Sequence, residues 1–537
     1  MDTYFVEEFT HSERQVLSRF FTNIDKPVYA VINLPDLVKG ALFARYSRSA
    51  KSIRRLFLDE FVGELDGADA SSVDSTVGFD RAAQLYERVF VEYGDDSVAQ
   101  LCGVHIACEQ ASNLLTKVLE WGRLASYMEQ STRYIAYDGI TEGRYRYYRD
   151  PDVLGSELGG RYTTDLDAIF GAYSKLVPVV LDHVRTTNPK SDSDSSFVYN
   201  SATKAKALDA VRGMLPAAAV SNVGMYGSAQ AYEQMLLRMR AHPLPEARVY
   251  ADLILGELRK VIPTFVRRVD MADRGEVTSN YMATNQTAMS ELSAELLGSE
   301  DEPDHEAGVD LVDFDPRAEI KIVASMLYPY TNRSEAEIER MVDKMSTEER
   351  IRVIKTYTGD RSNRRHRPGR ALERVFYRFD VLADYGAFRD IQRHRMATIE
   401  WQTLNPNHGY VRPALIDDAN VVHAFESAME RSAGLYEALR GDFPTQAAYA
   451  VSLAYRIRFN MNINARAAMH TLELRTTPQG HEAYRTVAQQ MHKQIADVAG
   501  HHAIAAMMNF VDHSTQADLE RLESEKRSEL RRASGNT

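Results

Sequence analysis

Two stretches of this 537-residue chain concentrate residue types that handle anions. Arg393-His394-Arg395 sets two guanidiniums and an imidazole side by side. On a helix they would point about 100° apart and share no single ion pair. Together they suit a pyrophosphate or an anionic ring, because guanidinium forks match phosphate oxygens two at a time. The competing reading is a solvated basic turn. The second stretch is Ser131-Thr132-Arg133-Tyr134, a hydroxyl, exposed amides and a guanidinium in the pattern of a phosphate cradle; an ordinary polar loop is the alternative.

The two stretches are copies of one motif, damaged in opposite ways. Residues 121–134 read WGRLASYMEQSTRY and residues 393–406 read RHRMATIEWQTLNP. The first copy lacks the Arg-His pair but keeps Ser131, Arg133 and Tyr134. The second keeps Arg393, His394 and Arg395 but has Asn405 and Pro406 where the first has Arg and Tyr. Complementary losses point to one composite site rather than two independent ones.

Further arginines stand in apolar company: Arg212 in VRGMLP and Arg240 in LLRMRA. An arginine among core residues needs a partner, either a ligand or a structural carboxylate. Asn464-Ala465-Arg466 and Arg475 are read the same way, as an amide and guanidiniums carried to one place. The run RSNRRHRPGR at 361–370, with Pro368 and Gly369, is a solvated loop or a wall of the anion site, and His366 is its one candidate ligand. No Ser-His-Asp triad, P-loop, GxGxxG fingerprint or metal cage is visible. No side chain is assigned as a nucleophile, so hard chemistry would belong to a bound cofactor.

The bulk composition sets the frame. Hydrophobic content of 44% and charge of 26% are those of a water-soluble globular protein. No apolar stretch is long enough to span a membrane, and the polar, acidic start MDTYFVEEFTHSER does not read as a signal peptide. Two cysteines, Cys102 and Cys108, without CxxC spacing fit a reducing cytoplasm. A net charge of −12 argues against a nucleic-acid binder and for a small phosphorylated ligand held by local arginine clusters.

The elements repeat in the same order in each half. A strand and helix come first, at 30–49 and 309–331. A strand follows, VHIACEQA at 104–111 in one half. In the other, Val375, Tyr377, Phe379 and Val381 alternate with polar neighbours. A short helix N-capped by Ser112 then delivers the motif. Long amphipathic helices come next, through Leu166, Ile169, Phe170 and Tyr173, and through Phe425, Ala428, Met429 and Leu435. The acidic GSEDEPDHEAG at 298–308 reads as a linker. The expected division is a first copy at 1–297, a linker at 298–308, a second copy at 309–515 and a charged tail at 516–537.

RLASYMEQSTRY and RHRMAT together resemble the flavin-dependent thymidylate synthases, whose hallmark is Arg-His-Arg, two residues, Ser, a few residues, then Ser-x-Arg-Tyr. Arg123, Ala125, Ser126, Glu129, Ser131, Arg133 and Tyr134 fit it in the first half. Arg393, His394 and Arg395 fit it in the second, with Thr398 and Thr403 in place of the serines. Asn464-Ala465-Arg466 looks like the family's flavin-contacting Asn-Ala-Arg, and Arg475 and Arg240 like its later arginine. Arg212 falls where the family has a nucleotide-binding arginine, and the second half has Ala448 there. The first half has Ser228-Ala229-Gln230 in place of Asn-Ala-Arg.

The resemblance implies an α/β fold, a mixed sheet packed with long helices, in two tandem copies. It implies substrate-binding roles for Ser131, Arg133, Tyr134, Arg212, Arg240 and Glu129, and cofactor-binding roles for Arg393, His394, Arg395, Asn464, Arg466 and Arg475; His366 joins the latter set. It implies FAD as cofactor, NADPH and methylenetetrahydrofolate as co-substrates, and reductive methylation of dUMP to dTMP. A homodimer would then form a pseudo-tetramer. Two alternatives stay open: a flavoenzyme acting on another pyrimidine, for which Met128, Trp401, Asn405 and Pro406 leave room, and a flavin- or nucleotide-binding homologue without turnover.

Overall fold

The computed structural model describes residues 7–27, 29–46, 49, 51–62, 100–192, 194–298, 308–514, 522–523 and 526. The linker expected at 298–308 and the tail at 516–537 lie almost wholly outside the described residues. The fold is the expected mixture of helix and sheet. Among the described residues seven strands form two sheets: β1 (Gly103–Ser112), β2 (Ala125–Glu129), β3 (Val220–Ser228), β4 (Gly308–Phe314), β5 (Phe376–Asp384), β6 (Ala397–Trp401) and β7 (Arg456–Asn464). No helix among the described residues is long and apolar enough to cross a membrane.

The chain forms two compact units. The first comprises residues 1–108, 124–129 and 222–299. Its sheet has the order β1-β3-β2, with β2 antiparallel to β3 from Ala125↔Gly227 to Glu129↔Val223. Ser228 ends β3 and caps the helix Ala229–Ala241, its hydroxyl accepting from Ala231 N. Tyr232 on that helix donates its hydroxyl to Val104 O at 2.9 Å, tying helix to sheet.

The second unit comprises residues 109–123, 130–221 and 300–537 and is built on the antiparallel sheet β4-β5-β7-β6. The alternation expected around Tyr377 is present. Tyr377, Phe379 and Val381 of β5 and Phe459, Met461 and Ile463 of β7 are buried, while Arg458 and Asp380 pair at 2.8 Å on the other face. The helix Glu482–Asp497 packs on β4 and β5, burying Tyr484, Val487, Ala488 and Met491. Each large apolar side chain so buried stabilises the fold by about 1.5–3 kcal/mol.

Within this unit the first-half and second-half segments interlock. Ala217 N donates to Val451 O and Leu453 N to Leu215 O, at 2.8 and 2.9 Å, around the antiparallel bridge Pro216↔Ser452. The short helices that precede the two motifs dock on this bridge in matching ways. Asn113 N donates to Ala217 O and Gly386 N to Leu453 O. Tyr385 Oη then reaches Asn113 O at 3.0 Å, and Gln392 Nε2 reaches Lys117 O at 3.0 Å. These bonds set the distance between first-half and second-half arginines.

Candidate functional site

β5 ends at Asp384, which caps the helix Tyr385–Ile391 by accepting from Ala387 N at 2.9 Å. The helix stops there. Gln392 N closes onto Phe388 O, His394 N onto Ile391 O and Ala397 N onto His394 O, a run of tight turns into β6. Arg393-His394-Arg395 therefore lies on a turn, not on a helix as the sequence reading had it. The early strand pairing of Ala397 with Ile463 leaves no room for another helical turn.

The opposite wall is the helix Ala465–Arg475. Asn464 is its N-cap, accepting from Ala467 N at 2.8 Å, as the Asn-Ala-Arg spacing requires. Helical periodicity then brings Arg466 and His470 to one side, with Thr471 and Arg475 beside them.

Between turn and helix opens a cavity of about 470 Å³. Arg123, Arg367, Arg393, Arg395 and Arg466 line it, with His394, His470, Asn464 and Thr471; Glu373 is its one carboxylate. Arg466 is held by Glu373 at 3.0 Å and by Pro368 O at 3.0 Å. Five guanidiniums against one carboxylate make a strongly electropositive hollow, fitted to a ligand carrying more than one phosphate.

His394 is half-buried at the cavity wall and neutral: loss of water around the ring first, then Arg475, His470 and Arg393, push its pKa well below the ordinary range. Arg475 Nε donates to His394 Nε2 at 2.8 Å, so Nε2 is the acceptor nitrogen and Nδ1 carries the proton, facing Thr471 Oγ1 at 3.1 Å.

Behind His394 the cluster continues without a break. Asp390 receives Arg393, lies 3.5 Å from Arg475 and 3.8 Å from Arg212. Burial alone would raise its carboxyl, yet Arg393, Arg475, Arg212 and Arg133 hold it far below the usual carboxylate range. Arg212 is buried, and its Nη2 has no hydrogen-bond partner among the described residues. Arg475 and Arg133 both lie over the Tyr484 ring, at 5.3 and 5.9 Å, and Arg133 Nη1 donates to Tyr484 Oη at 3.0 Å. The fork of Arg133 is filled by Asp209, at 2.8 Å from Nε and 2.7 Å from Nη2. His481 Nε2 faces Asp209 O at 3.3 Å, and burial, then Arg212, lowers its pKa to about 3. Ser131 shapes the approach, its Oγ accepting from Arg133 N at 3.2 Å.

The structure thus brings Ser131, Arg133, Arg212, Arg393, His394 and Arg475 into one network, with Arg395, Asn464 and Arg466 on the adjoining cavity. Tyr134, beside Arg133 in sequence, is about half exposed. Others do not belong to this set. Glu129 and Arg240 belong to the first unit, where Arg240 pairs with Asp252 on the surface. The N-caps explain the mismatch: counted from Ser228 and from Asn464, the counterpart of Arg475 is Met239, which is buried. His366 is exposed on its loop and turned toward Ser362 and Asn363. In the same loop Arg367 supplies the expected wall, whereas Arg361 is buried in a two-pronged pair with Glu473 at 2.6 Å.

Sequence reasoning missed His470 and Thr471, although their helical spacing from Arg466 was readable. It also missed Asp209 and Asp390, the carboxylates that buried arginines demand. Burial pushes the thiols of Cys102 and Cys108 up to about 12, so neither is a ready nucleophile.

Fold and site together define an α/β protein with an arginine-lined anion pocket. The family described as thymidylate synthase complementing protein matches residues 41–264 and 310–500. The chain belongs to this family, and two matched stretches fit a tandem arrangement. It is 38% identical over 524 residues to a UPF0159 protein of Chlamydia muridarum, covering 97% of this chain and 98% of that one. Among solved structures it is similar to a UMP/dUMP methylase PolB from Streptomyces cacaoi bound with 5-Br dUMP, at 20% identity and a TM-score of 0.29, over 37% of this chain and 94% of that one. It is also similar to the flavin-dependent thymidylate synthase ThyX of Helicobacter pylori complexed with FAD and dUMP, at 16% identity and a TM-score of 0.27, over 35% of this chain and 92% of that one.

Proposed function

We propose that this chain is an FAD-dependent thymidylate synthase that methylates dUMP to dTMP, with methylenetetrahydrofolate as carbon donor and NADPH as reductant. The observation that carries the reading is the continuity of the arginine-lined cavity with the Arg475–Tyr484–Arg133 cluster inside one chain. The cavity would hold FAD, with Arg393, Arg395 and Arg466 toward its phosphates and Asn464 fixing the helix start beside it. When bound, the flavin supplies the electrons that reduce the transferred carbon. The protein's own residues bind, orient and exclude water.

Neutral His394 borders the cavity without adding positive charge, its ring held in one orientation between Arg475 and Thr471. Arg212 is buried with its Nη2 uncommitted, and would offer that nitrogen only to a nucleotide seated against the cluster. The fork of Arg133 is taken by Asp209, so a nucleotide phosphate would meet Arg133 on Nη1 or by displacing Asp209. Guanidiniums beside a pyrimidine carbonyl stabilise the charge that builds as the ring is activated. In this reading the tandem copies occupy 1–297 and 309–515, and two chains make a pseudo-tetramer in the cytoplasm.

Purified protein incubated with FAD, NADPH, methylenetetrahydrofolate and dUMP tests the reading: dTMP formation supports it. Flavin binding with no dTMP directs attention to another pyrimidine nucleotide, as the departures at Trp401, Asn405 and Pro406 allow. Protein that takes up no flavin contradicts both.

A further inference from the structure

A guanidinium has five N–H donors, and Arg133 commits four of them inside the chain. Nε and Nη2 each give one to Asp209. Nη2 gives its other to Gln479 O at 3.3 Å, and Nη1 gives one to Tyr484 Oη at 3.0 Å. The N–H that remains is on Nη1, the arm that Tyr484 holds. Tyr484 is only 5% exposed. Its hydroxyl accepts from Arg133, and its own proton has no acceptor among the described residues. A buried donor without an acceptor costs free energy that a ligand oxygen would recover.

The ring of Tyr484 also gathers charge. The guanidiniums of Arg475 and Arg133 lie 5.3 and 5.9 Å from its centroid. Like charges held so close repel, and the electron-rich face of an aromatic ring offsets part of that repulsion. The ring thereby links a first-half guanidinium to a second-half one.

The first copy lacks this arrangement. Its helix Pro245–Val261 follows Ala229–Ala241 as Glu482–Asp497 follows Ala465–Arg475. Counted from the N-caps Leu244 and His481, Tyr484 corresponds to Ala247, which is buried. Arg475 corresponds to Met239, so the arginine and the ring are missing together.

We infer that Tyr484 is a nucleotide-binding residue: its hydroxyl proton and the remaining Nη1–H of Arg133 go to the nucleotide phosphate, and its ring holds Arg475 beside them. This rests on the reading that the nucleotide is dUMP. None of the motifs in the sequence includes Tyr484.

The test compares the full chain with Tyr484→Phe and Tyr484→Leu by calorimetric titration, using dUMP and deoxyuridine. Tyr484→Phe keeps the ring and removes the donor, and should weaken dUMP about tenfold. Deoxyuridine, which has no phosphate, should change less than twofold, and FAD affinity should stay as in the parent. Tyr484→Leu, which removes the ring as well, should weaken dUMP further. Unchanged dUMP affinity in Tyr484→Phe, equal losses for dUMP and deoxyuridine, or a parallel loss of FAD overturns the inference. Should the unaltered chain bind no dUMP, the functional reading fails instead. Inorganic phosphate then decides the Tyr484 claim: weaker binding by Tyr484→Phe supports it, and equal binding, or none by the parent chain, overturns it.

Discussion

The cavity at Arg393–Arg395 and the cluster at Arg133 use the same side chains to opposite ends. Around the cavity, guanidiniums outnumber carboxylates and face open space. At Arg133 the fork is closed by Asp209, and Asp390 sits among further guanidiniums. The first arrangement is poised for an external anion. The second supplies its own, and becomes part of what holds the unit together. An arginine's role is therefore set less by its motif than by whether a carboxylate lies within reach of its fork.

Substitutions separate the two arrangements. The largest effect is expected at Arg133→Ala, which leaves Asp209 without its fork in a mostly buried setting and should lower unfolding free energy by about 3–5 kcal/mol. Urea denaturation measures this, and a variant as stable as the parent would mean the pair is not structural. Next is Arg466→Ala. Its pair with Glu373 is partly exposed, so stability should move by less than about 1 kcal/mol. Flavin affinity, read by titration, should fall tenfold to a hundredfold, or about 1.5–3 kcal/mol.

A third effect concerns pH. His394 and His481 are held neutral in the folded chain, with pKa values below the ordinary histidine range. Unfolding lets both take up protons as pH drops below about 6.5. Stability is therefore fullest above that pH and falls with acidification, each group contributing up to about 1.4 kcal/mol per pH unit. The loss from His481 continues until its folded pKa of about 3. Denaturation at pH 7 and pH 5 checks this, and His481→Asn should shallow the slope. The smallest effect is at His366→Ala, outside the cavity lining, where flavin affinity should move by less than about 0.5 kcal/mol.

Much of this was legible in the sequence where local rules operate. Ser112 and Asn464 cap helices because their side chains satisfy orphan amides. β5 alternates because one face is buried. The complementary damage to the two motifs was equally plain, and Arg133 and His394 do belong to one network. Other features depend on pairings between distant segments. The bridge between 213–219 and 448–455 is alanine-rich and carries no periodic signal, yet it sets where Arg212 meets Asp390. Arg393–Arg395 looked helical because a short helix was expected to deliver the motif; strand pairing at Ala397 ended the helix first. Arg240 looked like Arg475 because a single step along a helix is invisible in a short motif but turns a side chain through about 100°.

The most direct test of the composite site is the number of flavins bound per chain. The first copy has Trp121 and Gly122 where the second has Arg393 and His394, and Gln230 where the second has Arg466. Titrating the purified full-length chain with FAD and reading bound flavin by absorbance should therefore give one FAD per chain. Two per chain would mean that each copy builds its own pocket, and none would mean that the guanidiniums of the two copies serve some purpose other than a flavin.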